Sequence, residues 1–178
     1  TVTGAAATGT INLYAGIDYN AGTEQLGFAS GGSINRSSTN GTGTITAVNG
    51  AVSLLATDNV DLTQVTTSGN IVVRADHDFN TEFGLTVGLA DGDDAGTVND
   101  FFAGEDTGNE NLVGAIVTIS AATGIGAAGD IDTAATTLNV TNAISGAIDV
   151  TETNGAVVSL LSQTGAGTDA ITLTSTTG

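Results

Sequence analysis

Lysine, cysteine, proline, methionine and tryptophan are all missing from this 178-residue chain, and each absence removes a class of explanation. Without cysteine there is no disulfide framework, thiolate metal site or thiol nucleophile. The compartment stays open on that ground, since secreted and cytosolic chains alike can do without disulfides. Without lysine there is no Lys–Asn isopeptide cross-link of the kind found in pilin-like sandwich domains. Positive charge is confined to Arg36 and Arg74, which face nineteen acids for a net charge of −17. Such a chain repels nucleic-acid phosphates and anionic lipid, so neither is expected as a direct partner, and divalent cations are the natural counter-charges. No apolar run approaches the length that spans a bilayer, so no membrane insertion is expected. With neither an initiator Met nor a signal peptide, the chain reads as a segment of something longer.

Aromatic residues are scarce too, at two Tyr and five Phe, so Ala, Val, Ile and Leu supply nearly all of the 40% hydrophobic content. That composition fits thin layers of small aliphatic side chains better than a helical bundle with large ones. Charged residues are only 12%, and Thr, Ser and Asn form the polar surface instead. Recurring aliphatic pairs and the lack of proline argue against disorder.

The pattern is clearest from Gly43 to Ala75. Val52, Leu54 and Ala56 are answered 19 positions later by Ile71, Val73 and Ala75, each trio opening just after Gly50-Ala51 or Gly69-Asn70. Val60, Leu62 and Val65 form a second, shorter apolar set between them. Strands of about three to six residues separated by Gly, Asn, Asp or Ser leave no room for ordinary helices. An alternating segment, Ile11 to Ala15, precedes this stretch, and Tyr14, Tyr19 and Phe28 near it are expected to cover the core. The signature returns at Ile116, Ile131, Ile148, Val157 and Ile171, with Ile131 to Ile148 and Val140 to Val157 both 17 apart. These spacings predict a parallel β-helix (β-solenoid) over 1–178, its interior made of ladders of like aliphatics. Tandem β-sandwich adhesin repeats are the alternative fold.

Residues 76–113 break the pattern. They hold ten of the nineteen acids, four of the five phenylalanines (Phe79, Phe83, Phe101 and Phe102) and the one histidine. They are expected to form an acidic insertion or lateral lobe on the rod.

The recurring G-x-I/V-x-L/V-x-A/T units, with the intervening N-V-D-L and T-S-G-N-I-V-V, resemble the repeats of filamentous haemagglutinin-type exoproteins and autotransporter passengers, outside residues 76–113. The resemblance implies a right-handed parallel β-helix, a bacterial cell-surface or extracellular location, adhesion, and a host or cell-surface receptor or glycan as partner. The end coils of such a rod are left unpaired, so the chain is also expected to meet itself end to end, as a filament subunit, or to join neighbouring segments of a longer chain.

Three groups carry candidate chemistry. Asp91, Asp93 and Asp94, with Asp100 close behind, form the densest set of oxygen ligands and a partial calcium loop, which Glu105, Asp106 and Glu110 could complete. It is not an EF-hand, because Ala95 stands where a third ligand belongs and Phe102 stands at position twelve. Asp76-His77-Asp78 has the donors for a transition metal, but adjacent strand residues point to opposite faces. Asp130, Asp132, Asp149 and Glu152 could line one face as a carboxylate pair for polysaccharide hydrolysis. Each also fits a corner or an outward strand position, and two arginines without a lysine are poor equipment for a uronate substrate. No catalytic residue and no required cofactor are expected, with Ca2+ the one candidate ion.

Overall fold

The computed structural model describes residues 2–4, 9–20, 25–28, 32–35, 43–76, 95–100, 110–165 and 169–177, with the backbone alone at 2–4, 17–20 and 25–28. All regular structure among them is β-strand: β1 Val2–Gly4, β2 Ile11–Ala15, β3 Ile17–Asn20, β4 Gln25–Phe28, β5 Thr44–Ala47, β6 Val52–Ala56, β7 Val60–Leu62, β8 Gln64–Thr67, β9 Ile71–Arg74, β10 Val98–Asp100, β11 Leu112–Ala121, β12 Ile131–Asn142, β13 Ile148–Glu152, β14 Val157–Gln163 and β15 Ile171–Ser175. No helix among the described residues is long and apolar enough to cross a membrane.

Eleven of the strands form one sheet, and every pairing is parallel except the β3–β4 hairpin. Parallel ladders are the opposite of what tandem sandwiches need, since those are built from antiparallel sheets. Three ladders organise the strands. In the first, Val2, Ile45, Val65, Leu112, Thr133, Glu152 and Ser175 are successive Cα partners. The second runs Ile11, Val52, Ile71, Val117, Leu138, Val158. The third runs Ile34, Val60, Val98, Ile125, Ile148, Ile171. The chain visits first, second and third ladder in that order, again and again. β11 and β12 each cross from the first to the second, and β13 and β15 from the third to the first.

The local chemistry explains the strands. Burial alternates with a period of two, as along Ile71–Arg74 and Gln64–Thr67, so branched aliphatics fall on the inner face and Thr, Ser and Asn on the outer one. Val52, Ile71, Val117, Leu138, Val60, Val98, Ile125 and Ile148 are all fully buried in one continuous cluster. Each contributes about 1.5–3 kcal/mol of transfer free energy. Corners between the first and second ladders need glycine. A Cβ on Gly50 would run into the carbonyl of Gly9, and one on Gly69 would lie 2.6 Å from the Gly50 oxygen.

The 19-residue step is observed, with Val52 facing Ile71 and Leu54 facing Val73. The 17-residue spacings are not: Ile131 faces Val150, and Val140 faces Leu161. Ile148 belongs to the third ladder rather than to that of Ile131, because each repeat holds three strand positions. Within 76–113, Val98–Asp100 stacks on Val60–Leu62, and Leu112 and Val113 stack on Val65 and Thr66. Residues 77–94 and 101–109, which include the four phenylalanines, lie outside the described residues.

Candidate functional site

The acids are where binding or catalysis was expected, so their partners decide what they can do. Ser33 Oγ donates to Asp58 Oδ2 at 2.9 Å, and Asn99 Nδ2 to Asp61 Oδ1 at 3.4 Å. Thr151 Oγ1 donates to Asp130 Oδ2 at 2.6 Å, Thr153 Oγ1 to Glu110 Oε1 at 3.0 Å, and the Gly146 amide to Asp169 Oδ2 at 2.8 Å. Each bond joins one level of the ladders to another. The carboxylates act as rungs, with their acceptor capacity directed to neighbouring strands.

Two further acids are buried. Asp132 and Glu152 were expected at corners or on the outer face, yet both are buried. Glu152 occupies a first-ladder position that Val65 and Leu112 fill elsewhere. It is accommodated because Thr133 Oγ1 donates to its Oε2 at 2.7 Å and the Asn154 amide to its Oε1 at 3.0 Å. A buried charge requires such donors. Asp132 is placed by its backbone, whose amide donates to Asn111 Oδ1 at 2.9 Å. Asn111 Nδ2 in turn donates to Asp100 Oδ1 at 3.1 Å, so one buried amide ties a third-ladder strand to a first-ladder one.

Of the four carboxylates suggested for hydrolysis, the structure brings Asp130 and Asp149 together on the outer side. Loss of solvent, and then the nearby Asp130 charge, raise the Asp149 carboxyl above the ordinary carboxylate value. This pair is the nearest approach to an acid–base arrangement, but Asp130 is already engaged by Thr151. Asp132 and Glu152 are buried rather than open to solvent.

The suggested calcium ligands divide. Asp100 is buried at the end of β10 against Asn111, whereas Asp91, Asp93 and Asp94, with Glu105 and Asp106, lie outside the described residues. Asp76 is a corner residue with φ of 57°, not a strand residue, and His77 and Asp78 lie outside the described residues. Among the described residues, no group of three or more His, Asp or Glu is placed to hold a metal. Arg74 sits in the second ladder between Leu55 and Ser120, and Arg36 is outside the described residues.

Sequence reasoning missed Asn111 and Thr133, the donors that make the buried acids tolerable. Nothing marks them beforehand, because Asn and Thr are the ordinary corner and surface residues of this chain. Neither a protein-family model, nor a curated protein, nor a solved structure matches the sequence.

Proposed function

We propose that the three ladders close on themselves as a right-handed parallel β-solenoid. The chain then serves as a structural and adhesive segment of an extracellular bacterial surface protein, of the filamentous haemagglutinin or autotransporter-passenger kind. The observation that carries the reading is the cyclic order of the ladders, first, second, third, with aliphatics in register throughout the second and third. Parallel crossovers in one sheet are right-handed in nearly all proteins, which supports the right-handed form. Acids used as rungs support a scaffold over an enzyme. Outer rows such as Asn12–Ser53 and Thr118–Asn139 offer uncharged hydrogen-bonding groups suited to a glycan or a receptor surface. No cofactor is required for this function, and Ca2+ remains the candidate ion for Asp91, Asp93, Asp94 and Asp100.

The absence of cysteine makes the coil directly testable. Paired substitutions Thr46→Cys with Thr66→Cys, Thr118→Cys with Asn139→Cys, and Asp61→Cys with Asn99→Cys sample the three ladders at Cα partners. Neighbouring strands lie about 4.8 Å apart, within disulfide reach. All three bridges should close within one chain on mild oxidation, and a folded chain that closes none of them would sink the solenoid. Immunogold labelling of intact source cells checks the location: signal that needs permeabilised cells would remove the surface assignment.

A further inference from the structure

Three Asn-Gly pairs occur in the chain, at Asn40, Asn49 and Asn154, and the first lies outside the described residues. Such pairs are chemically labile. With no Cβ on the following glycine, its amide nitrogen can swing onto the asparagine carboxamide and close a five-membered imide. The ring closes only where the chain lets the two groups approach, so the structure decides which pair reacts.

Both described pairs sit at corners between the first and second ladders, yet they are held differently. Around Asn49 every residue is tied to another level. Ser68 Oγ lies 2.8 Å from the Val48 carbonyl and 2.9 Å from Asn49 Oδ1, Thr67 Oγ1 donates to the Gly50 carbonyl, and the Ile11 amide donates to the Ala51 carbonyl at 2.9 Å. Gly50 is buried, with its Cα packed against the Gly9 carbonyl. Turning its amide toward the Asn49 side chain would pull it away from the levels on both sides.

Asn154 and Gly155 are both exposed. Residues 153–156 make this corner where 134–136 make the one on the preceding level, because Thr133 faces Glu152 and Thr137 faces Val157, so this corner is one residue longer. The chain is pinned just before the pair. The Thr153 amide donates to the Thr133 carbonyl at 2.9 Å, Thr177 Oγ1 to the Thr153 carbonyl at 2.6 Å, and the Asn154 amide to Glu152 Oε1 at 3.0 Å. Past that point, neither the Asn154 carboxamide nor a backbone polar group of Gly155 has a hydrogen-bond partner among the described residues. A Cβ on Gly155 would meet only the Thr177 carbonyl, at 3.1 Å. Thr177 belongs to the following level, so this corner already has a neighbour on each side and its exposure is not that of a chain end.

We propose that Asn154 is a site of spontaneous deamidation, a modification that consumes water and needs no enzyme. The Gly155 amide nitrogen loses its proton to solvent base and attacks Asn154 Cγ. The new N–C bond forms as the Cγ–Nδ2 bond breaks, and Nδ2 takes a proton from water and leaves as ammonia. Water then opens the imide at either carbonyl. One opening gives aspartate and the other isoaspartate, in which the main chain runs through Cγ; nothing is oxidised or reduced. Either product places a carboxylate next to Glu152, which is buried and accepts from the Asn154 amide. The longer corner has the slack to take the extra main-chain carbon of isoaspartate.

Peptide mapping by mass spectrometry tests this on the full chain aged at mildly alkaline pH, folded in one sample and unfolded by urea in another. In urea, Asn49 and Asn154 should convert at similar rates, each read as the mass gain from amide to acid. In the folded chain Asn154 should stay within about threefold of its urea rate, whereas Asn49 should slow by about tenfold or more. Asn154→Gln should abolish the mass gain in the peptide that carries position 154, because the larger ring closes far more slowly. Folded Asn154 slowed as much as Asn49 would overturn the proposal. So would folded Asn49 keeping pace with Asn154, since the contacts at its corner would then have no hold on the reaction. A mass gain that persists in the Asn154→Gln peptide would place the reactive amide elsewhere and overturn it as well.

Discussion

Leu138 and Val158 are neighbours in one ladder with side chains of the same kind, yet the first is fully buried and the second is 42% exposed. Ile148 and Ile171 repeat the contrast in the third ladder. Neither residue type nor face accounts for it. An inner position is buried only when levels lie on both sides of it, so hydrophobic stabilisation belongs to contacts between levels more than to single strands. Stability in such an arrangement is close to a sum over adjacent levels, with the middle strong and the ends weak.

The sharpest way to break that comparison is to truncate matched positions. Leu138→Ala should cost about 2–5 kcal/mol in chemical denaturation, since it leaves a cavity in a filled ladder. Val158→Ala should cost no more than about 1 kcal/mol, and equal losses at the two sites would end the argument. A second contrast uses glycine. Gly50→Ala should cost about 1–3 kcal/mol because its Cβ meets backbone on the next level. Gly43→Ala, with nothing within 4 Å, should stay within about 0.5 kcal/mol of wild type.

Asp100 sharpens the distinction between a rung and a ligand. Asp100→Ala leaves the buried Asn111 amide short of an acceptor and should cost about 1–3 kcal/mol. The loss should be the same with and without a chelator, whereas a chelator-dependent loss would make Asp100 a metal ligand. The smallest effect belongs to the outer surface. The raised Asp149 carboxyl means that the folded state prefers the protonated form, so the carboxylate costs stability at neutral pH. That cost fades as pH falls through the folded-state value and vanishes below the unfolded one. Asp149→Asn should therefore raise the urea midpoint at neutral pH, and the gain should disappear in acid.

How far the sequence speaks depends on the ladder. Val52, Leu54, Ile71 and Val73 announce the second ladder because each level gives it an aliphatic alternation after a glycine. The third ladder is fainter: Val60, Ile148 and Ile171 stand out, but Ile34 and Ile125 are isolated bridges without an alternating strand around them. The 17-residue spacing of Ile131 and Ile148 misleads because each level holds three strand positions, and these two residues belong to different ones. Among the candidate site residues, the proximity of Asp130 and Asp149 follows from their 19-residue separation, the same step as the ladder. The burial of Asp132 and Glu152 does not, because neither carries a local signal: Glu152 stands in a column that Val65 and Leu112 fill elsewhere, and Asp132 in one shared with Thr151 and Thr174. Glu152 is tolerated because Thr133, from the neighbouring level, and the amide of Asn154, two residues on, both donate to it.

The steps between levels are unequal in a way that leaves the register intact: Val52 to Ile71 takes 19 residues, and Ile71 to Val117 takes 46. Closing a longer excursion is cheap, at about 0.6 kcal/mol for each doubling in length. A residue's address along the ladders is thus independent of how much chain was spent reaching it. New segments can be accepted at the corner after Arg74 without renegotiating the core, which makes that corner a natural port for grafted sequence and for evolutionary novelty.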